Sequence, residues 1–212
     1  MSRFEDMSNE YLHSTYVPDV YQKSIFNIDY DQLKNAGIKL ISFDIDDTIE
    51  SIAVFKPTKE SITLFEKLRL MGFELFIISN ANFDRVEHFG DILKVKAVHR
   101  AEKPYVKGFE DVQKYYQEKF GCKIDPNEMA HIGNSMINDI AGGNAYGVTT
   151  CLVRNVGILP KAGKILNPFK TEGQELREVL LERGIWRKHH LKTKGDQYYQ
   201  LNETQIKFDA KK

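Results

Sequence analysis

The chain is 212 residues long, 42% hydrophobic and 28% charged, with a formal net charge of zero at pH 7. That length supports one principal domain with a sizeable core, and the balanced charge gives no bulk attraction to nucleic acid. The opening residues, MSRFEDMSNEYLHS, hold no apolar core of signal-peptide length, and no apolar run approaches the ~20 residues of a membrane span. Only two cysteines occur, Cys122 and Cys151, without metal-ligand spacing, so a reducing cytoplasm is the expected setting.

The first strong signal in chain order is 39–43, KLISF, an apolar stretch that runs directly into Asp44, Asp46 and Asp47. A helical pattern follows over 58–71, with Ile62, Leu64, Phe65, Leu68 and Leu70 on its apolar face and Gly72 as a stop. Residues 73–78, FELFII, read as a second buried strand, 84–93 as a helix, 96–99 as a short strand, and 107–120 as a long helix closed by Gly121. Strands at 130–132 and 148–153 bracket a small-residue helix at 138–146. Strands alternating with helices predict an α/β fold of the doubly wound, Rossmann-like kind, a parallel sheet with helices on both faces. In such sheets the ligand site lies beyond the carboxyl ends of the strands.

Further on, 172–183 reads as a helix with Leu176, Val179 and Leu180 as its stripe and Gly184 ending it. After it, Gly195 and Asp196 suit the turn of a hairpin between two polar strands. The expected division is a main domain over 1–160, with 161–212 as an extension packed on it. The basic run Arg187, Lys188, His189, His190, Lys192 and Lys194 reads as a solvated strand edge, with anionic lipid headgroups as the alternative contact at about 1 kcal/mol per charge.

Three strand ends carry residues suited to chemistry. The first supplies Asp44, Asp46 and Asp47, the second Ser79 and Asn80, and the segment after 130–132 supplies Gly133, Asn134 and, further on, Asp139. Alternation along a strand sends Asp44 and Asp46 to the same side. Two unit charges ~4 Å apart repel by roughly 4 kcal/mol at an effective dielectric of about 20, so a cation is expected between them. Magnesium suits the place, because it takes one or two carboxylates, keeps waters and completes its shell with substrate phosphate. One aspartate alone would read as a turn or helix cap; three, with partners on later strands, read as a site.

These residues resemble the motifs of the haloacid dehalogenase superfamily, most of whose members are phosphatases. Its first motif, a hydrophobic strand ending in Asp-x-Asp-x-Thr, is matched by Asp44, Asp46 and Thr48, and its second, a strand ending in Ser or Thr, by Ser79. The third, an isolated lysine often followed by proline, is matched by Lys103 in HRAEKPYVKGF, and the fourth, Gly-Asp with a second acid four or five residues on, in part by GNSMINDIAGGNAYG. Four motifs in order are specific where any one would be weak.

The resemblance implies a magnesium-dependent phosphomonoester hydrolase that works through an aspartyl-phosphate. Asp44 would be the nucleophile and Asp46 the general acid and base, oriented by Thr48. Lys103 would hold nucleophile and phosphate together, with Ser79 and Asn80 on the substrate side. Mg²⁺ would sit among Asp44, Asp46, Asn134 and Asp139. Asn134 stands where an acid is usual, which removes one negative charge and passes its task to Asp139, while Asn134 offers a carbonyl oxygen or a hydrogen bond to Asp44.

Neither insertion point for a cap domain has room: only SIAVFKP follows the first motif, and only one helix and one strand separate Asn80 from Lys103. A capless, open site suits large or surface-presented substrates, or a homo-oligomer. The stretches YVPDVYQKSIFNIDYDQLKNAGIKLISFDIDDT, AEKP and DIAGGNAYGVTTCLV also look like the capless bacterial branch related to phosphatidylglycerophosphate phosphatases, although that branch commonly has Asn where Asp47 stands and an apolar residue near Glu50. The implied substrate is a phosphorylated small molecule or a lipid headgroup, the latter with peripheral membrane contact, and not nucleic acid. The other reading is a catalytically weak relative that binds a phosphorylated ligand or protein partner.

Overall fold

The computed structural model describes residues 3–154, 156 and 172–185. The chain begins with helix α1 (Asn9–Tyr16), strand β1 (Val20–Gln22), a 3₁₀ turn (Ile25–Asn27) and helix α2 (Tyr30–Asn35). Strand β2 (Leu40–Phe43), helix α3 (Lys59–Leu70), strand β3 (Glu74–Ile78), helix α4 (Phe83–Leu93) and strand β4 (Lys96–Val98) wind toward one edge of a sheet. Helix α5 (Lys107–Phe120) returns the chain to strand β5 (Met129–Gly133). A π-turn (Met136–Ile140) then runs into helix α6 (Ala141–Tyr146) and on to strand β6 (Thr149–Val153). Helix α7 (Glu172–Glu182) is the last described element.

The six strands among the described residues are all parallel, in the order β1-β6-β5-β2-β3-β4. The continuous apolar runs of the central strands follow from this, since helices cover both faces and leave no side for solvent. On one face Phe43, Phe65, Leu68, Ile77, Val86 and Phe89 pack together, and on the other Phe76, Ile78, Phe109 and Val112 do so. The chain leaves β2 toward β3 on one side and leaves β5 toward β6 on the other. Adjacent strands with diverging exits open a crevice beyond their carboxyl ends, and Asp44 and Asn134 stand at its two sides.

The fold matches the doubly wound expectation, and it adds pieces that periodicity missed. Strand β1 is only VYQ, too short for an alternating pattern to register, and it is held by pairing Val20, Tyr21 and Gln22 with Cys151, Leu152 and Val153. The helix expected over 138–146 starts earlier, with its first turn widened to a π-turn from Met136. Helices α1 and α7 share an apolar cluster: Phe4, Leu12 and Tyr16 pack with Leu176, Val179 and Leu180 over Leu152 and Ile140. Arg183 fastens it by donating to Met7 O (2.6 Å), Glu5 O and Asn9 Oδ1 (3.2 Å), and Arg3 pairs with Glu172 at 2.7 Å.

As the sequence spacing indicated, only a loop separates Glu50 from Thr58, and only α4 and β4 separate Asn80 from Lys103, so no cap domain is inserted at either place. The expected hairpin at Gly195 and Asp196 and the basic run 187–194 lie outside the described residues. Among the described residues no helix is long and apolar enough to cross a membrane.

Candidate active site

Strand β2 ends at Phe43, but the backbone N–H of Asp44 still donates to Ile132 O at 2.9 Å, so the carboxylate leaves from the centre of the sheet. The loop after β4 bends through Arg100 and Glu102, both left-handed (φ 46° and 58°), to bring Lys103 back beneath β3. Asn80 pins that loop, donating to Lys103 O (3.0 Å) and accepting from Lys103 N (2.8 Å). Lys103 Nζ then donates to Asp44 Oδ1 (2.8 Å), Asp139 Oδ1 (2.5 Å) and Ile78 O (2.8 Å). An ammonium has three N–H bonds, and here all three are committed.

Asp139 reaches this point because the π-turn lifts it toward β5 and because Gly133 has no side chain. A Cβ on Gly133 would lie 2.2 Å from Asp139 Cγ, well inside contact distance. Ser135 N donates to Asp139 Oδ2 at 2.9 Å. Beneath it, the buried His131 places Nε2 3.4 Å from Asp139 Oδ1 and Nδ1 2.9 Å from Ser42 Oγ, with its ring edge-on to Phe109. Burial holds the imidazole below its ordinary pKa, against the opposing pull of Asp139.

Two carboxylates sharing one ammonium divide it unequally. Burial pushes the Asp44 carboxyl up to about 6, with Lys103 opposing and the Asp139 charge adding to the rise. Burial would raise Asp139 too, but Lys103 and His131 outweigh it and hold that carboxyl well below the usual range. Lys103 stays above its ordinary value despite burial, because both acids favour its charged form. Asp139 is thus the fixed anion, and Asp44 is the one whose charge is poorly compensated.

Asp46 lines the same cleft, with one carboxylate oxygen held by an arginine from α4. Arg85 Nε donates to Asp46 Oδ1 at 2.6 Å, while Arg85 Nη1 donates to Val54 O (2.7 Å) and Nη2 to Ser51 O (3.4 Å). The loop these carbonyls belong to is rooted at Asp47, whose left-handed backbone (φ 58°) suits Asp or Asn, and whose N–H donates to Glu50 O at 2.7 Å. Glu50, buried, accepts from Thr58 N (2.8 Å), Thr58 Oγ1 (2.7 Å) and Ser61 Oγ (2.7 Å), tying the far end of the loop to the start of α3.

Asp44, Asp46, Ser79, Asn80, Lys103, Asn134 and Asp139 line a single cleft of about 250 Å³. Thr48 lies behind it, and its role differs from the expectation: the hydroxyl sits 3.2 Å from Asp44 Oδ2 and 3.1 Å from Asn134 Oδ1, so it orients Asp44 and not Asp46. The turn responsible folds Thr48 N back onto Ile45 O. Asn134 is correspondingly linked to Asp44 through Thr48. Asp44 and Asp46 each also have a cation of the protein's own, Lys103 and Arg85.

Arg85 and His131 were missed. The signal for Arg85 was available: it is the third residue of α4, where its backbone N–H is capped by Asn82, and a cation in a first helical turn opposes the macrodipole. A residue that breaks a local rule often does so for a site.

The donor set suits a magnesium ion. Asp44 and Asp139 already converge on one cation, and their two charges exceed that of Lys103 by one. Magnesium takes one or two carboxylates and completes its shell with neutral oxygens and substrate phosphate, which this pair of acids allows.

Residues 9–158 match the family described as mitochondrial PGP phosphatase. The chain belongs to that family. It is 32% identical over 143 residues to the probable phosphatase YqeG of Bacillus subtilis (strain 168), covering 67% of this chain and 79% of that protein. It is 31% identical over 150 residues to phosphatidylglycerophosphate phosphatase 1, chloroplastic/mitochondrial, of Arabidopsis thaliana, covering 64% of this chain and 40% of that one. Among solved structures, a HAD phosphatase from Thermococcus onnurineus covers 58% of this chain and 90% of its own, with 16% identity and a TM-score of 0.43. The family and these relatives make the protein a phosphatase.

Proposed function

We propose that the protein is a magnesium-dependent phosphomonoesterase that forms an aspartyl-phosphate on Asp44, and that its substrate is the terminal phosphate of a glycerophospholipid headgroup, as in phosphatidylglycerophosphate. The observation that carries the mechanism is the shared ammonium: Lys103 holds Asp44 and Asp139 together at the switch point, with Thr48 fixing the other Asp44 oxygen. A bound magnesium ion supplies charge to neutralise the phosphoryl oxygens and to keep Asp44 ionised. An Asp44 oxygen bonds to phosphorus as the ester P–O bond breaks, and Asp46 gives its proton to the departing alkoxide. Water then attacks phosphorus, Asp46 takes the proton back, and inorganic phosphate leaves with Asp44 restored. Ser79 and Asn80, on the cleft wall, are placed to steady the phosphoryl oxygens.

Support for a lipid substrate comes from the plant relative's name and from the rim of the cleft. Ile52, Phe55, Phe83 and Tyr105 are exposed by 63%, 82%, 54% and 73%, and they follow β2, β3 and β4 at the carboxyl edge of the sheet, where the cleft opens. Exposed large side chains on the segments that follow the strands' carboxyl ends suit a ligand presented at a bilayer surface. Neither Cys122 nor Cys151 is in a disulfide, which suits a reducing compartment.

The test compares kcat/KM for phosphatidylglycerophosphate in vesicles with that for soluble glycerol phosphate. The expected result is a preference for the vesicle substrate of about 10²-fold or more that Phe55→Ser reduces, with hydrolysis of a soluble aryl phosphate unchanged. Equal turnover of both glycerol phosphates overturns the lipid reading, and a stable phosphoenzyme failing to form on Asp44 in rapid-quench labelling overturns the mechanism.

A further inference from the structure

We infer that Arg85 is a positioning residue for the proton transfer: it sets the posture of Asp46 and couples that posture to the loop 51–54 beside the cleft. The inference rests on the reading of Asp46 as general acid and base, and it assigns to Arg85 a role that neither the motifs nor the comparisons include.

The guanidinium makes three directed contacts from one rigid plane. Nε takes Asp46 Oδ1 at 2.6 Å, Nη1 takes Val54 O at 2.7 Å, and Nη2 lies 3.4 Å from Ser51 O. The plane is further fixed over the Phe89 ring, 5.0 Å from its centroid. The pair is only partly exposed, 15% for Arg85 and 27% for Asp46, so solvent weakens it less than an open surface pair. Arg85 engages Oδ1, which leaves Oδ2 of a residue that lines the cleft to meet the leaving oxygen.

The loop is closed at its root, where Asp46 and Glu50 form a bridge and Asp47 N donates to Glu50 O. Its outer part is held on the site by the Arg85 contacts, by Ile52 N on Asp47 Oδ1 (3.2 Å) and by Val54 N on Ser51 O (2.8 Å). Lifting Ser51 and Val54 away removes two of the three acceptors that orient the guanidinium. Loop position and Asp46 orientation are therefore coupled through one side chain. Lysine cannot reproduce the arrangement, since a single ammonium on a longer, freer stem lacks the fixed fork that spans carboxylate and carbonyl together.

A general acid matters in proportion to how badly the leaving group needs a proton. p-Nitrophenyl phosphate departs as a stable phenolate, whereas glycerol phosphate departs as an alkoxide and requires protonation as the P–O bond breaks. Arg85→Met is expected to lower kcat on glycerol phosphate by about 10²-fold while kcat on p-nitrophenyl phosphate stays within about threefold, with KM little changed on either. Arg85→Lys, the safer variant for folding, is expected to show the same substrate split at smaller size, and added guanidine to restore part of the Arg85→Met loss on glycerol phosphate only. Amide hydrogen exchange over residues 51–54 should quicken in both variants.

Equal losses on the two substrates, or a loss confined to KM, overturn the inference in favour of a structural or phosphate-binding role. Unchanged exchange at 51–54 overturns the coupling to the loop. Asp46→Asn is the reference: if it discriminates between the substrates and the Arg85 variants do not, the inference fails alone. If Asp46→Asn does not discriminate, the reading of Asp46 fails and the inference falls with it.

Discussion

The two walls of the cleft are built on different principles. On the inner wall, Asp44, Lys103 and Asp139 are buried, interlocked and anchored to the ends of β2, β3 and β5, and every Lys103 proton is engaged. On the β2–β3 side, Asp46 depends on one long side chain from α4 and on a loop with exposed Ile52 and Phe55. The first wall has the character of a preorganised electrostatic site, set before substrate arrives. The second is adjustable, which suits a group that must donate a proton in one half-reaction and accept one in the next.

The largest break in this contrast should come from the nucleophile. Asp44→Asn is expected to lower kcat by about 10³-fold or more, yet to leave thermal stability of the metal-free protein unchanged or higher at about pH 8, because it removes a poorly compensated buried charge. Differential scanning calorimetry beside steady-state kinetics checks both halves. Lys103→Met should do the opposite to stability, costing about 3–5 kcal/mol in urea unfolding, since it strands two buried carboxylates without their cation. Gly133→Ala should cost about 1–3 kcal/mol by forcing Asp139 from its place, and should weaken magnesium binding measured by calorimetry.

The pH dependence sharpens the same comparison. The folded Asp44 carboxyl titrates at about 6 against its ordinary value of 3.8, so the metal-free folded state holds an extra proton between these values. Its stability should fall as pH rises through that window and level off above about 6, with Asp139 acting only at more acid pH. Magnesium binds the ionised carboxylate, so the rise in melting temperature it produces should grow as pH increases through about 6. The smallest effect is expected on the adjustable wall: Glu50→Gln, which weakens the acceptor for three hydrogen bonds, should cost about 1 kcal/mol and speed proteolytic cleavage within 51–57.

The unequal legibility of the molecule in its sequence follows the same division. KLISF and FELFII announce buried parallel strands because a sheet covered on both faces needs apolar side chains in both directions, and the acids that end KLISF are visible for the same reason. What stayed hidden depends on contacts between distant residues. Arg85 meets Asp46 across 39 positions and Lys103 meets Asp139 across 36, and no local periodicity encodes either meeting. Strand β1 exists through its pairing with β6, and the π-turn exists so that one residue can reach back to Lys103, so neither leaves a pattern of its own. Thr48 meets Asp44 because the turn after Phe43 folds its N–H back onto Ile45 O, a local geometry that the motif resemblance does not carry.

The clasp between α1 and α7 has a practical outcome for anyone trimming this protein. Shortened to residues 9–158, the portion that matches the family, the chain would lose Phe4 and the whole of α7, and Leu12, Tyr16, Ile140 and Leu152 would face water. Such a fragment should be sticky and protease-sensitive even with its catalytic cleft intact, so a soluble minimal version has to retain both ends through Arg3 and Gly184.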